Sequence, residues 1–115
     1  IAYTYTEPTI FYELMYETTK LAKKNGLYNV MITNGYIEEE PLKNLNIDAM
    51  NIDIKGNEKF YKEICFAKLE PVLETCIVAK KLGIHIEITN LIIPTYNDNI
   101  DDIRSIIQFV KDELG

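Results

Sequence analysis

The sequence predicts an α/β protein built on a parallel sheet, each strand followed by a helix that crosses back over it. Three observations carry this prediction. Apolar residues alternate on a period of two in four short stretches and on a helical period between them. Gly, Pro or Asn-Gly signals punctuate the junctions. Finally, "AKKNGLYNVMITN" from Ala22 is echoed by "AKKLGIHIEITN" from Ala79, so a helix–Gly–strand–Thr-Asn unit recurs. Recurrence of one unit suits a barrel or partial barrel better than a series of unlike elements.

Each element follows from its own residues. "IAYTYT", Ile1 to Thr6, alternates and reads as the first strand. Thr9 offers an N-cap to a helix carried by Ile10, Leu14, Leu21 and Ala22 and stopped at Asn25-Gly26. "YNVMITNG" is the second strand, and a short helix over Glu38 to Leu45 carries Pro41 near its start. "DAMNIDIK", Asp48 to Lys55, is the third strand, closed by Gly56. Helical pieces from Glu58 to Ala67 and from Pro71 to Leu82 follow, the latter ended by Gly83. "IHIEITNLII" is the fourth strand, stopped by Pro94. Asn97 to Asn99 are placed to cap a last helix whose first turn holds Asp101 and Asp102. Ile103, Ile106, Ile107, Val110 and Leu114 form its apolar stripe.

The totals limit the function classes. A chain of 115 residues with 47% hydrophobic content is one domain or part of one. A net charge of −6 argues against a nucleic-acid footprint, which needs clustered Lys and Arg. No apolar run approaches the roughly 20 residues of a membrane span. Cys65 and Cys76 form no C-x-x-C pair, which fits a reduced, cytoplasmic setting better than a disulfide framework. The chain starts at Ile1, already inside a strand, and is expected to be a single domain, 1–115, cut from a longer protein.

In parallel α/β folds ligands bind beyond the carboxyl ends of the strands. Those ends are Thr6-Glu7-Pro8, Thr33-Asn34-Gly35, Asp53-Ile54-Lys55 and Thr89-Asn90 through Thr95, and every one is polar. The third strand directs Met50, Ile52 and Ile54 to one face and Asn51, Asp53 and Lys55 to the other. A central parallel strand is normally apolar on both faces, so these polar groups are paired, wet or facing a ligand. His85, Glu87 and Thr89 repeat the theme on the fourth strand. Two readings stand side by side here: a lined cavity, or a network that satisfies only itself. No G-x-G-x-x-G or Walker loop exists, the one serine lies inside the last helix, and one histidine with two spaced cysteines does not make a zinc site.

At these strand ends the sequence resembles the radical S-adenosylmethionine (radical SAM) enzymes. The likeness is to the AmmeMemoRadiSam system radical SAM protein and the pyruvate formate-lyase activating enzymes. It rests on "YTYTEPTIFYE", "YNVMITNGYI", "AMNIDIKG", "AKLEPVLET" and "EITNLIIPTYND", in the family's order along the chain. The resemblance implies four consecutive βα units of a partial (β/α)₆ barrel, its second to fifth strands. It also implies SAM and a [4Fe–4S] cluster as cofactors, with reductive cleavage of SAM to a 5′-deoxyadenosyl radical. By that resemblance Thr6 and Glu7 lie where the family meets the SAM amino group. Thr33 and Asn34 match its Thr-Asn-Gly, and Asp53 and Lys55 its Asp-x-Lys beside the ribose and carboxylate. Thr89 matches the strand leading to the adenosine side.

The C-x₃-C-x₂-C cluster motif is absent from this chain, so no metal ligand is assigned, and no catalytic residue either. Ile32 stands where the activating enzymes carry Asp, and Thr95 where Gly commonly follows the proline. The implied partners are SAM and an unidentified substrate, with a protein among the candidates, but neither nucleic acid nor membrane. The strand edges left by a cut barrel are expected to drive self-association. Two other classes compete: a receiver-like domain phosphorylated on Asp53, and a barrel lyase using Lys55 as a Schiff-base nucleophile.

Overall fold

The period-two stretches pair side by side in chain order. The computed structural model describes residues 1–115, with β1 (Ala2–Tyr3), β2 (Val30–Thr33), β3 (Ala49–Asp53) and β4 (His85–Thr89) in one sheet of order β1-β2-β3-β4. All three pairings are parallel. Between and after them run α1 (Tyr12–Lys24), α2 (Glu39–Asn44), α3 (Glu58–Phe60), α4 (Glu70–Lys81) and α5 (Ile100–Phe109). No helix is long and apolar enough to cross a membrane.

The register sorts the side chains by face. Met31 pairs with Met50, and Met50 with Ile86, while Ile52 stands between Thr33 and Ile88. Met31, Met50, Ile52 and Ile54 are buried in one cluster with Met15 of α1, Leu42 of α2 and Val72, Cys76 and Ala79 of α4. The other face alternates out of this core. Asn51, Asp53 and Lys55 are half-buried, and His85, Glu87 and Thr89 exposed. Helices therefore cover one face only. Parallel sheets normally bury both faces, so a one-sided sheet with a polar inner strip has the form of a barrel wall.

The strands are shorter than the alternation suggests, for local reasons. β1 ends at Tyr3, and Tyr5 beyond it has a left-handed backbone (φ 71) with its ring fully in solvent. β4 stops at Thr89, where the Asn90 amide turns to the Ile54 carbonyl at 2.7 Å. The stretch Leu91 to Tyr96 is then exposed loop rather than strand. The helix expected over Glu58 to Ala67 breaks into α3 and a wide turn, Tyr61–Cys65, ended by left-handed Phe66.

One cap differs from expectation and another narrows it. The first helix is capped by Glu7, whose carboxylate accepts from Thr9 N–H, and begins as a tight turn over Pro8–Phe11. Proline supplies the preset φ of a first-turn residue and has no N–H to satisfy. The last helix is capped by Asn99 alone, which accepts from the N–H groups of Asp101 and Asp102. Gly35 closes the second strand with φ +78, and a Cβ there would lie 2.9 Å from Ile52 and Val72 side-chain carbons. Only glycine lets this turn sit flush on β3 and α4.

Candidate ligand site at the carboxyl edge of the sheet

Glu7 sits just past β1, but its carboxylate reaches across to the end of β2. Oε1 accepts from the Thr33 hydroxyl at 2.7 Å, from Thr9 N–H at 3.3 Å and from the Thr9 hydroxyl at 3.2 Å. Oε2 accepts from Asn34 N–H at 2.7 Å. Thr33 is buried, and its oxygen also accepts from Gly35 N–H at 3.1 Å. The Asn34 side chain accepts from Tyr36 N–H and so holds the turn rather than the open edge. One acid thus joins two strand ends and a helix start. A carboxylate offers about four acceptor sites, so Oε2 keeps one for a further donor.

Asp53 and Lys55 form a second group, on β3. Lys55 Nζ lies 2.5 Å from Asp53 Oδ2, with both side chains about one-third exposed (37% and 34%). Their backbone is fixed from behind. The buried Tyr61 phenol donates to the Asp53 carbonyl and accepts from Lys55 N–H at 3.1 Å, while the Asn97 amide donates to the Lys55 carbonyl. An ammonium has three donors, and one carboxylate contact leaves others available to a ligand. Thr89 lies opposite Asp53 in register and donates to Asn51 at 2.8 Å. Thr6 is exposed without a side-chain hydrogen bond.

The expected residues therefore fall into two groups. Glu7, Thr33 and Asn34 are in contact, Asp53 and Lys55 are in contact, and Thr89 adjoins the second group. No hydrogen bond or ion pair links the two groups, although both lie on one edge of one sheet. That edge presents an ammonium, carboxylates and hydroxyls side by side.

Metal ligands do not accompany it. No group of three His, Cys, Asp or Glu side chains is arranged to hold an ion. Burial pushes the Cys76 thiol up to about 12, so it stays protonated, and Cys65 lies in the wide turn after α3. The residues present do not fit an iron–sulfur cluster. Lys55 is engaged by Asp53 instead of standing in an apolar pocket, unlike a Schiff-base lysine. Glu7 is committed to Thr33, Asn34 and Thr9 and makes no contact with Asp53, unlike the paired acids of a receiver.

Tyr61 and Asn97 are the positioning residues that the sequence alone does not reveal. Asn97 reads as a cap in sequence, yet it is buried, donating to the Lys55 and Leu91 carbonyls and accepting from Ile93 N–H at 2.6 Å. Asn97→Ala is expected to cost about 1–3 kcal/mol, from stranding backbone groups that water reaches only partly. Urea unfolding measures this, and a loss below about 0.5 kcal/mol would contradict the role.

Burial also pushes the Tyr61 phenol up to about 12. For both Tyr61 and Cys76 the folded state holds a proton that the unfolded state releases at lower pH. Stability is thus fully present below the unfolded values and falls as pH rises towards the folded ones. The expected loss starts near pH 9 with Cys76 and steepens above pH 10 with Tyr61, at about 1.4 kcal/mol per pH unit for each group. Flat stability up to pH 11 under reducing conditions would contradict this.

Comparison with known proteins adds to the geometry. The model of the radical SAM superfamily matches residues 1–110. An uncharacterized protein of Methanocaldococcus jannaschii is 70% identical over 115 residues, all of this chain and 34% of that protein. A second protein of that organism bears the name of a glycyl-radical enzyme activating enzyme. It is 32% identical over 110 residues, 91% of this chain and 42% of that protein. The chain spans a third to a half of these relatives. The crystal structure of a domain of pyruvate-formate lyase-activating enzyme from Bacteroides vulgatus superposes with a TM-score of 0.86. That match covers 98% of this chain and 72% of the other at 16% identity, which is a likeness of fold.

Proposed function

Because the chain belongs to the radical SAM superfamily, we propose that it is the middle of the barrel of a glycyl-radical-activating type of enzyme, and that its polar edge binds SAM. The observation that carries this reading is the Asp53–Lys55 pair, fixed from behind by Tyr61 and Asn97 and open in front. Lys55 meets the SAM carboxylate as a compact cation. Asp53 accepts from the ribose hydroxyls. The spare lone pair of Glu7 Oε2 and the carbonyl of Thr6 accept from the amino group, with Thr33 and Asn34 holding Glu7 in place. Thr89 stands towards the adenosine.

Held in this way, SAM would be positioned for reductive cleavage to methionine and a 5′-deoxyadenosyl radical; a [4Fe–4S] cluster would supply the electron, and Cys65 and Cys76 would not be its ligands. The substrate class taken from the activating-enzyme relatives is a protein, and the reduced thiols suit the cytoplasm. The test is product analysis on the whole protein, cluster-loaded and reduced without oxygen. Methionine and 5′-deoxyadenosine are expected in equal amounts. An intact, reducible cluster that leaves SAM uncleaved would contradict the proposal.

The same reading predicts behaviour of the 115-residue chain by itself. β1 and β4 are sheet edges, and Ile88 of β4 lines a groove of about 410 Å³ together with Ile103, Ile106, Ile107 and Val110. Such edges pair with whatever strand is available. Sedimentation at several concentrations is expected to show reversible self-association. A strictly monomeric, highly stable chain would count against the partial-barrel assignment.

A further inference from the structure

The helical side of the molecule carries a groove that the ligand edge does not use. It runs between α2 and α4, encloses about 800 Å³, and has Ile37, Leu42, Ile77 and Val78 among its lining residues. The groove lies on the covered face of the sheet, where Thr75 of α4 donates to the Ile37 carbonyl and locks that wall. Its volume exceeds what one side chain fills and lies within the range of about 300–1,000 Å³ typical of ligand sites.

Charge gives the groove its selectivity. Glu38 and Glu39 stand on the α2 side and Glu74 on the α4 side, so acid flanks the apolar floor from both walls. Glu39 is paired with Lys43 at 2.5 Å, but Glu38 and Glu74 are exposed and have no cation within ion-pair distance. Lys81, in the last turn of α4, is the one cation lining the groove. α2 with six residues and α4 with twelve extend about 9 and 18 Å, a trough two to three helical turns long.

We propose that this groove docks an amphipathic helix of a partner protein, one whose apolar stripe is bordered on both sides by Lys or Arg. Anchors at i, i+3 or i+4, and i+7 enter the floor, as in helix-in-groove recognition generally. The flanking cations meet Glu38 and Glu74, and an acidic residue at one end meets Lys81 and fixes the direction. Two carboxylate walls with an apolar strip between them match that pattern; a small cation would meet only one wall. This inference does not rest on the SAM reading, since the groove is on the other face of the sheet.

The experiment titrates the whole protein into two fluorescent peptides about 14 residues long, one amphipathic Leu/Lys helix and one Leu/Glu helix of the same pattern. Anisotropy is expected to show binding of the Leu/Lys peptide at least about tenfold tighter. The double variant Glu38→Lys/Glu74→Lys is expected to weaken that binding about tenfold. The equally charged control Glu17→Lys/Glu113→Lys should change it less than about threefold. All four positions are exposed, and circular dichroism confirms that each variant folds. Equal losses in the two variants would mean attraction to net charge only and would overturn the proposal. So would equal binding of the two peptides, or displacement of the Leu/Lys peptide by octylammonium as effectively as by unlabelled peptide.

Discussion

Replacing Glu7 by alanine is expected to lower the unfolding free energy by about 2–4 kcal/mol, although the residue lies outside the apolar core. The change removes the cap on the first helix, worth about 1 kcal/mol. It also strands the Thr33 hydroxyl and Asn34 N–H, at about 1–3 kcal/mol for donors shielded from water. Glu7→Gln keeps the shape but turns one donor group towards another, and should cost about 1 kcal/mol or more. β1 pairs with β2 over only two residues, with Tyr3 bonded to Asn29 and Ile1 to Tyr28, and Glu7 adds an attachment beyond the strand ends. Urea unfolding of the three proteins measures the series. A loss below about 0.5 kcal/mol for Glu7→Ala would show that the bridge contributes nothing.

The order of the strands was legible because two signals agreed, a period of two inside each stretch and a repeated helix–Gly–strand unit across the chain. The lengths were not. β1 is ended by a tyrosine in a conformation that glycine adopts freely, and nothing in "YTYTEP" announces that. β4 is ended by an amide that leaves its own strand to satisfy a carbonyl on the neighbour. The second is a tertiary event that overrides a local alternation.

The site divides in the same way. That Glu7, Asp53 and Lys55 stand at strand ends follows from alternation and from the turn residues beside them. That Glu7 gives two of its four hydrogen bonds to the end of β2 does not, because Thr33 and Asn34 are adjacent to it only after the sheet forms. The roles of Tyr61 and Asn97 are not legible in sequence, since a tyrosine in a helical pattern and an asparagine before a helix have commoner uses, as core residue and as cap. An interior network of this kind is visible only once partners distant in sequence have been brought together.

Lys55→Ala is expected to separate binding from folding. In the folded chain the Asp53–Lys55 pair is about one-third exposed, and such pairs contribute about 0–1 kcal/mol, so the fold should survive almost unchanged. If Lys55 meets the SAM carboxylate, its loss removes a charge-assisted contact of about 1.5–3 kcal/mol, or roughly ten- to a hundredfold in affinity. Asp53→Asn keeps the acceptor oxygen while removing charge and should have the smaller effect. The direct measurement is an oxygen-free SAM titration of the whole, cluster-loaded protein and its Lys55→Ala variant, with circular dichroism as the folding control. The account predicts a native spectrum with at least about tenfold weaker SAM binding; unchanged affinity in a natively folded variant would contradict the assignment, and a lost fold would make Lys55 a structural counter-ion instead.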